Sequence, residues 1–177
     1  RFGSRVTIVE KGPRLVSRED EDISAAILDI LEREGIEVRL DAECIGFERS
    51  GSGVRVGLHC EREPRAVDGT HVLLAVGRRP NTDDLGLDAA GVATDARGYI
   101  VVDGQLRTNV DGIWAVGDCN GRGAFTHTAY NDFEIVAANL LDGERRSVDD
   151  RVPAYALYVD PPLGRVGLTE AEARQSG

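Results

Sequence analysis

The chain has 177 residues, 41% of them apolar and 29% charged, and a net charge of −10 from 31 acidic against 21 basic side chains. That length allows one good core or one and a half domains, and the composition is that of a soluble globular chain. The acidic balance argues against nucleic acid or an anionic membrane surface as a partner, since both need basic patches. No apolar run approaches the roughly 20 residues of a membrane span.

Three cysteines, Cys44, Cys60 and Cys119, lie far apart, with neither a CxxC nor a metal-ligand spacing, so no metal site is expected. An odd count suits a reducing cytoplasm, where each thiol is a small buried hydrophobe. The chain has no methionine and opens on Arg1-Phe2-Gly3 directly before a strand. It reads as a piece of a longer protein.

In chain order, residues 5–9 are β-branched and end in Glu10, and Lys11-Gly12-Pro13 breaks the strand. The acidic cluster at 19–22 supplies the amino end of a helix with Ile23, Ile27, Ile30 and Leu31 on one face, and Gly35 is placed to stop it. Residues 36–40 alternate as a half-buried strand does. Residues 44–48 and 54–58 flank Ser50-Gly51-Ser52-Gly53, a hairpin signal. Residues 71–76 are a continuous apolar run of strand type, ended by Gly77-Arg78-Arg79-Pro80-Asn81.

Strand, helix, strand, hairpin and strand form the latter part of a dinucleotide-binding α/β domain. Its G-x-G-x-x-G turn is not here, because Gly51-Ser52-Gly53 and Gly121-Arg122-Gly123 both lack the third glycine. Residues 86–102 read as short strand and turn material. His59 and His71 sit in strand patterns and are taken as structural.

The most informative stretch is 108–141, TNVDGIWAVGDCNGRGAFTHTAYNDFEIVAANLL. Val110-Asp111-Gly112 is turn chemistry, 113–116 is a short apolar strand, and Gly117-Asp118 stops it. A helical pattern starts near Phe125, with Ala129, Phe133, Val136, Ala137 and Leu140 on one face. A carboxylate at a strand's carboxyl end, just before a helix start, suits a polyhydroxylated, charged ligand. Asp118 accepts from hydroxyls, and the helix offers unpaired N–H groups and a positive dipole end. A solvated aspartate capping a turn is the plain alternative.

The ordered string, with I-[WY]-A-[VI]-G-D at 113–118, resembles the second flavin motif of the class I pyridine nucleotide-disulfide oxidoreductases, the glutathione, lipoamide and mercuric reductase group. Residues 74–81 resemble the same family's A-x-G-R-x-P-N motif, and 6–16 its second NAD-domain strand and loop. The strings YNDFEIVAANLL and DPPLGRVGLTEAEAR are most similar to a mercuric reductase-like branch.

The resemblance implies partial Rossmann-like FAD- and NAD(P)-binding domains, followed by the beginning of an α+β dimerisation domain. Expected boundaries are 1–81 for the latter part of the NAD(P) domain, 82–147 for the C-terminal part of the FAD domain and 148–177 for the dimerisation segment. Residues 142–150 read as the linker into that last segment, where Thr169 is placed to cap a helix at Glu170. By resemblance, Asp118 holds the flavin ribityl chain, and Ala124, Phe125, Thr126 and His127 touch flavin at the loop-to-helix junction. His127 is read as a packing residue and not as a general base. Glu10 would bind the adenosine ribose of NAD, Cys44 would lie by its backbone near the adenine, and Gly77 would approach the nicotinamide nucleotide. A carboxylate at Glu10 repels a 2′-phosphate, so NADH is favoured over NADPH. For Arg78, ligand contact and an arginine holding segments together are equal readings.

The family passes hydride from nicotinamide to FAD and on to a disulfide or metal-ion substrate, as a cytoplasmic homodimer. No two cysteines here are spaced as a redox pair, so no catalytic residue is named. Two alternatives stay open: a flavin-dependent oxidase or electron-transfer relative without a Cys pair, and a non-catalytic nucleotide-binding or dimerisation module.

Overall fold

The computed structural model of the chain describes residues 3–59 and 64–177, and the side chains of all these except Cys44 and Ile45. The fold is α/β and divides into two compact units, Arg1–Ala75 with Pro153–Gly177, and Val76–Val152.

In the first unit, β1 (Thr7–Val9) pairs in parallel with β2 (Glu37–Arg39), with α1 (Glu21–Arg33) as the crossover. Acidic Glu21 and Asp22 start α1 and Arg33 ends it, complementing the helix dipole, and Gly35 turns the chain at φ +80°. Ile27, Leu15 and Val38 form a small core, with Ile8, Ile30 and Leu31 packed on it. Strict alternation in β2 fails at Arg39, which is buried. Its guanidinium is satisfied there by Glu37 Oε1 at 2.7 Å and the Pro64 carbonyl at 3.0 Å, which is what makes burial of the charge tolerable.

Strands β3 (Glu43–Ser50) and β4 (Gly53–His59) form the expected hairpin, turning at Gly51 with φ +59°. A third strand, β5 (Ala66–Gly69), adds to β4, giving the order β3-β4-β5. The cross-strand pair Arg55–Asp68, at 2.9 Å, fastens it. The apolar run 71–76, expected as a strand, forms none: Leu73 and Val76 are 88% and 93% exposed. An apolar run becomes a strand only where another strand takes up its N–H and C=O groups, and the described residues supply no such neighbour. Cys60 lies outside the described residues.

The C-terminal segment belongs to this first unit. Strands β6 (Ala154–Leu157) and β7 (Leu163–Val166) form an antiparallel pair, and α4 (Glu170–Ser176) follows. The Thr169 hydroxyl accepts from Glu172 N at 3.0 Å, and the Glu172 carboxylate accepts from Thr169 N at 2.7 Å, a reciprocal cap. That backbone bond is the main reason the Glu172 carboxyl titrates below the usual glutamate range. Asp20, at the start of α1, caps α4 as well, accepting from Glu170 N and Ala171 N at 2.8 and 3.2 Å. Arg165 joins the two ends of the sequence by donating to Glu19, to Glu172 and to the Arg18 carbonyl.

The second unit has little regular sheet. Residues 113–116, expected as a strand, pair only through the isolated bridge Arg107↔Trp114, with Ala115 N bonded to Leu106 O at 3.1 Å. A short helix, α2 (Leu87–Ala90), precedes the long α3 (Thr126–Leu141). Leu106, Ile100, Val102, Ala115 and Ile135 make the core. The buried face of α3 is Thr128, Asp132, Ile135 and Ala138, whereas Phe133 and Leu140 of the expected apolar face are exposed. The polar pair can occupy the inner face because both side chains find hydrogen bonds there. Within 142–150, expected as a linker, Val148 is buried and its N–H bonds to Gly104 O at 2.8 Å, so this segment is fastened to the core.

Leu106 is fully buried at φ +65°, a conformation in which only its packing recommends a leucine. In urea unfolding, Leu106→Ala is expected to cost about 2–5 kcal/mol. Leu141→Ala, at an exposed position, is expected to change stability by no more than about 0.5 kcal/mol. Equal costs for the two would contradict this core.

Candidate functional site

The site grows from the place where the chain leaves Val116. Gly117 takes φ +77°, and a single 3-10 turn, Gly117–Asn120, follows. A Cβ on Gly117 would stand 3.4 Å from the Ala129 methyl, and one on Gly123 only 2.8 Å from Thr128 Oγ1. Glycine at these two positions therefore lets the loop lie flat on the first turns of α3.

Three side chains hold the turn from beneath. Asp132 of α3, 2% exposed, accepts through Oδ2 from Gly117 N at 2.8 Å and from Asn120 Nδ2 at 2.7 Å. Its Oδ1 accepts from Arg151 Nη2. Asn120 also donates to Ala115 O at 3.0 Å and accepts from Arg122 N at 2.8 Å. Arg151 reaches Asn131 Oδ1 at 2.8 Å through Nε.

On the open side of the same turn stands Asp118, 45% exposed, with Oδ2 at 2.8 Å from Arg78 Nη2. Its Oδ1 has no hydrogen bond among the described residues and is a free acceptor. Arg78 follows Gly77, which holds φ +134° with open space around its Cα. Ala124, Phe125, Thr126 and His127 are exposed where the loop enters α3. Thr128 Oγ1 accepts from Phe125 N at 3.1 Å and donates to Phe125 O at 2.7 Å, and the Phe125 and His127 rings stack at 5.3 Å.

In the first unit, the Glu10 carboxylate accepts from Gly12 N at 2.8 Å, and the Glu10 carbonyl from Ala42 N at 3.0 Å. This sets Glu10 beside the chain that enters β3, where Cys44 pairs with Leu58. The Cys44 side chain lies outside what is described. Gly77, Asp118 and the 124–127 junction thus belong to one unit, and Glu10 and Cys44 to the other.

Sequence reasoning named Asp118 but missed the Asp132–Asn120–Arg151 cluster beneath it. The signal was present: Asp132 is in helical phase with Thr128, Ile135 and Ala138, the wrong place for a solvated carboxylate. It also left Arg78 undecided, and the structure pairs it with Asp118.

Residues 1–132 match the family model described as pyridine nucleotide-disulphide oxidoreductase. The chain belongs to that family. It is 43% identical over 99% of its length to the probable pyridine nucleotide-disulfide oxidoreductase RclA of Escherichia coli, and 39% identical over 100% to the mercuric reductase of Streptomyces lividans. Of the solved structures, the HOCl-induced flavoprotein disulfide reductase RclA from Escherichia coli superposes with a TM-score of 0.90 over 99% of the chain at 40% identity. LpdA from Mycobacterium tuberculosis does so with 0.87 over 98% at 27% identity. The chain spans 37% to 40% of these proteins. The likeness also identifies the α/β fold as part of the Rossmann-like nucleotide-binding architecture of flavoprotein disulfide reductases.

Cys119 directly follows Asp118, and its thiol donates to Val116 O at 3.3 Å. Burial pushes its pKa up, and the nearby Asp132 and Asp118 carboxylates add to that. The thiolate, the reactive form, is therefore scarce at neutral pH. Alkylation by iodoacetamide, read by peptide mass mapping, should be slower at Cys119 than for a free cysteine at pH 7 and should accelerate only at distinctly alkaline pH. A rate at pH 7 equal to that of free cysteine would contradict this assignment.

Proposed function

We propose that the chain is the portion of an FAD-dependent NAD(P)H oxidoreductase that holds the ribityl side of the flavin and part of the nicotinamide nucleotide. The observation that carries the reading is the Arg78–Asp118 ion pair. It ties the A-x-G-R-x-P-N segment to the G-D turn, so two stretches distant in sequence meet at one carboxylate that still has an oxygen to offer. The loop glycines press the backbone onto α3, leaving the amino end of that helix open to a charged ligand.

These residues fit FAD in kind. Asp118 would accept from ribityl hydroxyls, and residues 124–127 would meet the flavin with backbone groups and the stacked Phe125 and His127 rings. Glu10 keeps one carboxylate oxygen beyond its bond to Gly12 N, enough to take a ribose hydroxyl of NAD. Its charge disfavours a 2′-phosphate, which supports NADH over NADPH. Gly77 leaves room for a nucleotide to pass close to the backbone, and the backbone near Cys44 is assigned to the adenine side. Bound there, FAD would supply the redox chemistry between a reduced nicotinamide and the substrate. The chain's own task is to orient the two cofactors and to set the field around the flavin.

The same reading places 1–81 in an NAD(P) domain, 82–147 in an FAD domain and 148–177 at the start of a dimerisation domain of a cytoplasmic homodimer. The mercuric reductase among the relatives, and a Cu(II) complex of the Escherichia coli reductase RclA, support a metal ion or a disulfide as the electron acceptor.

Asp118→Ala in the full-length protein tests the assignment. Charge-assisted hydrogen bonds are worth about 1.5–3 kcal/mol, so FAD affinity should fall roughly 10- to 100-fold by flavin titration. Unchanged FAD affinity would remove Asp118 from the site.

A further inference from the structure

We infer that Asp132 is a positioning residue for the flavin, and that Asp132, Asn120 and Arg151 together hold the Asp118 turn in the one conformation that can bind it. This inference rests on the flavin reading above and adds three residues to it. Asp132 has no path to a ligand, being 2% exposed. Its contacts are nevertheless concentrated on the two residues that bracket the turn, Gly117 by its amide and Asn120 by its side-chain nitrogen. Asp118 lies between them and makes no bond of its own to Asp132.

A donor pair converging on one carboxylate oxygen ties together both ends of this single turn and so restricts the backbone of Asp118 and Cys119 between them. Asn120 adds a second restraint by bonding to the Ala115 carbonyl, so the chain before the turn, the turn and α3 are joined. Arg151 supplies the countercharge on the other oxygen, and its Nη1 is buried with no hydrogen bond among the described residues. Its other hydrogen bond is to the neutral Asn131, so among the described residues Asp132 is the carboxylate that Arg151 pairs with. A purely structural carboxylate would serve as well bonded to any donor. This one spends both lone-pair directions of Oδ2 on the turn that carries the ligand-facing acid.

An asparagine at 132 cannot reproduce the arrangement. Both oxygens of Asp132 face donors, so its amide NH₂ would point at a donor in either orientation. The test compares apo and FAD-saturated melting temperatures of the full-length protein for wild type, Asp132→Asn and the core control Ile135→Val. A ligand that binds the native state raises the melting temperature by an amount that grows with the logarithm of its affinity, so at one FAD concentration the rise reads the site separately from overall stability.

The expected result is a clearly smaller rise in Asp132→Asn, with FAD affinity weakened about tenfold or more, while Ile135→Val lowers both melts and keeps the wild-type rise. Asn120→Ser, which frees the turn without unpairing Arg151, should move the rise in the same direction and serves if Asp132→Asn does not fold. A wild-type rise retained in these variants would overturn this inference alone. No rise in the wild type would overturn the flavin reading and this inference with it.

Discussion

A carboxylate taken out of water must be met by donors, and in this chain Asp132 is met by three: a backbone amide and an amide side chain from the 117–120 turn, and a guanidinium from Arg151. That requirement fixes what lies above it. The chain at Ala115, the turn at 117–120, the first turns of α3 and the chain at Arg151 cannot shift singly without stranding a buried polar group. Asp118 inherits its place from this constraint. The exposed acid that meets Arg78 sits on a turn whose two ends bond to a buried one.

Arginine does much of the joining elsewhere as well. Lys11 is the only lysine in the chain. Arg39, Arg151 and Arg165 are each largely buried and each bond through more than one nitrogen. A planar guanidinium can satisfy several acceptors at once and loses less on leaving water than an ammonium does. In the first unit this lets Arg165 bind Glu19, Arg18 and Glu172 together, drawing the C-terminal strand pair onto the start of α1, while Asp20 caps α4.

Much of this was legible in the sequence, and the failures have physical causes. The βαβ unit, the Ser50-Gly53 hairpin, the start of α3 near Phe125 and the Thr169 cap were readable because each rests on local chemistry: β-branching, a glycine turn, a helical period, a capping hydroxyl. The run at 71–76 misled because strand formation depends on a neighbour and not only on composition. The short stretch at 66–69 was unread because its strand pairing comes from β4 and the Arg55–Asp68 pair. On α3, hydrophobicity pointed to Phe133 and Leu140, whereas the inner face is chosen by hydrogen bonding at Thr128 and Asp132. Within the candidate site, Asp118 announces itself by following a glycine at a strand end, but its supports are spread from Gly77 to Arg151 and no local pattern unites them.

The most direct measurement is the visible spectrum of the full-length protein, reconstituted with FAD and then exposed to NADH without oxygen. The account predicts a bound flavin band that NADH bleaches. A full-length protein that retains no flavin would contradict it.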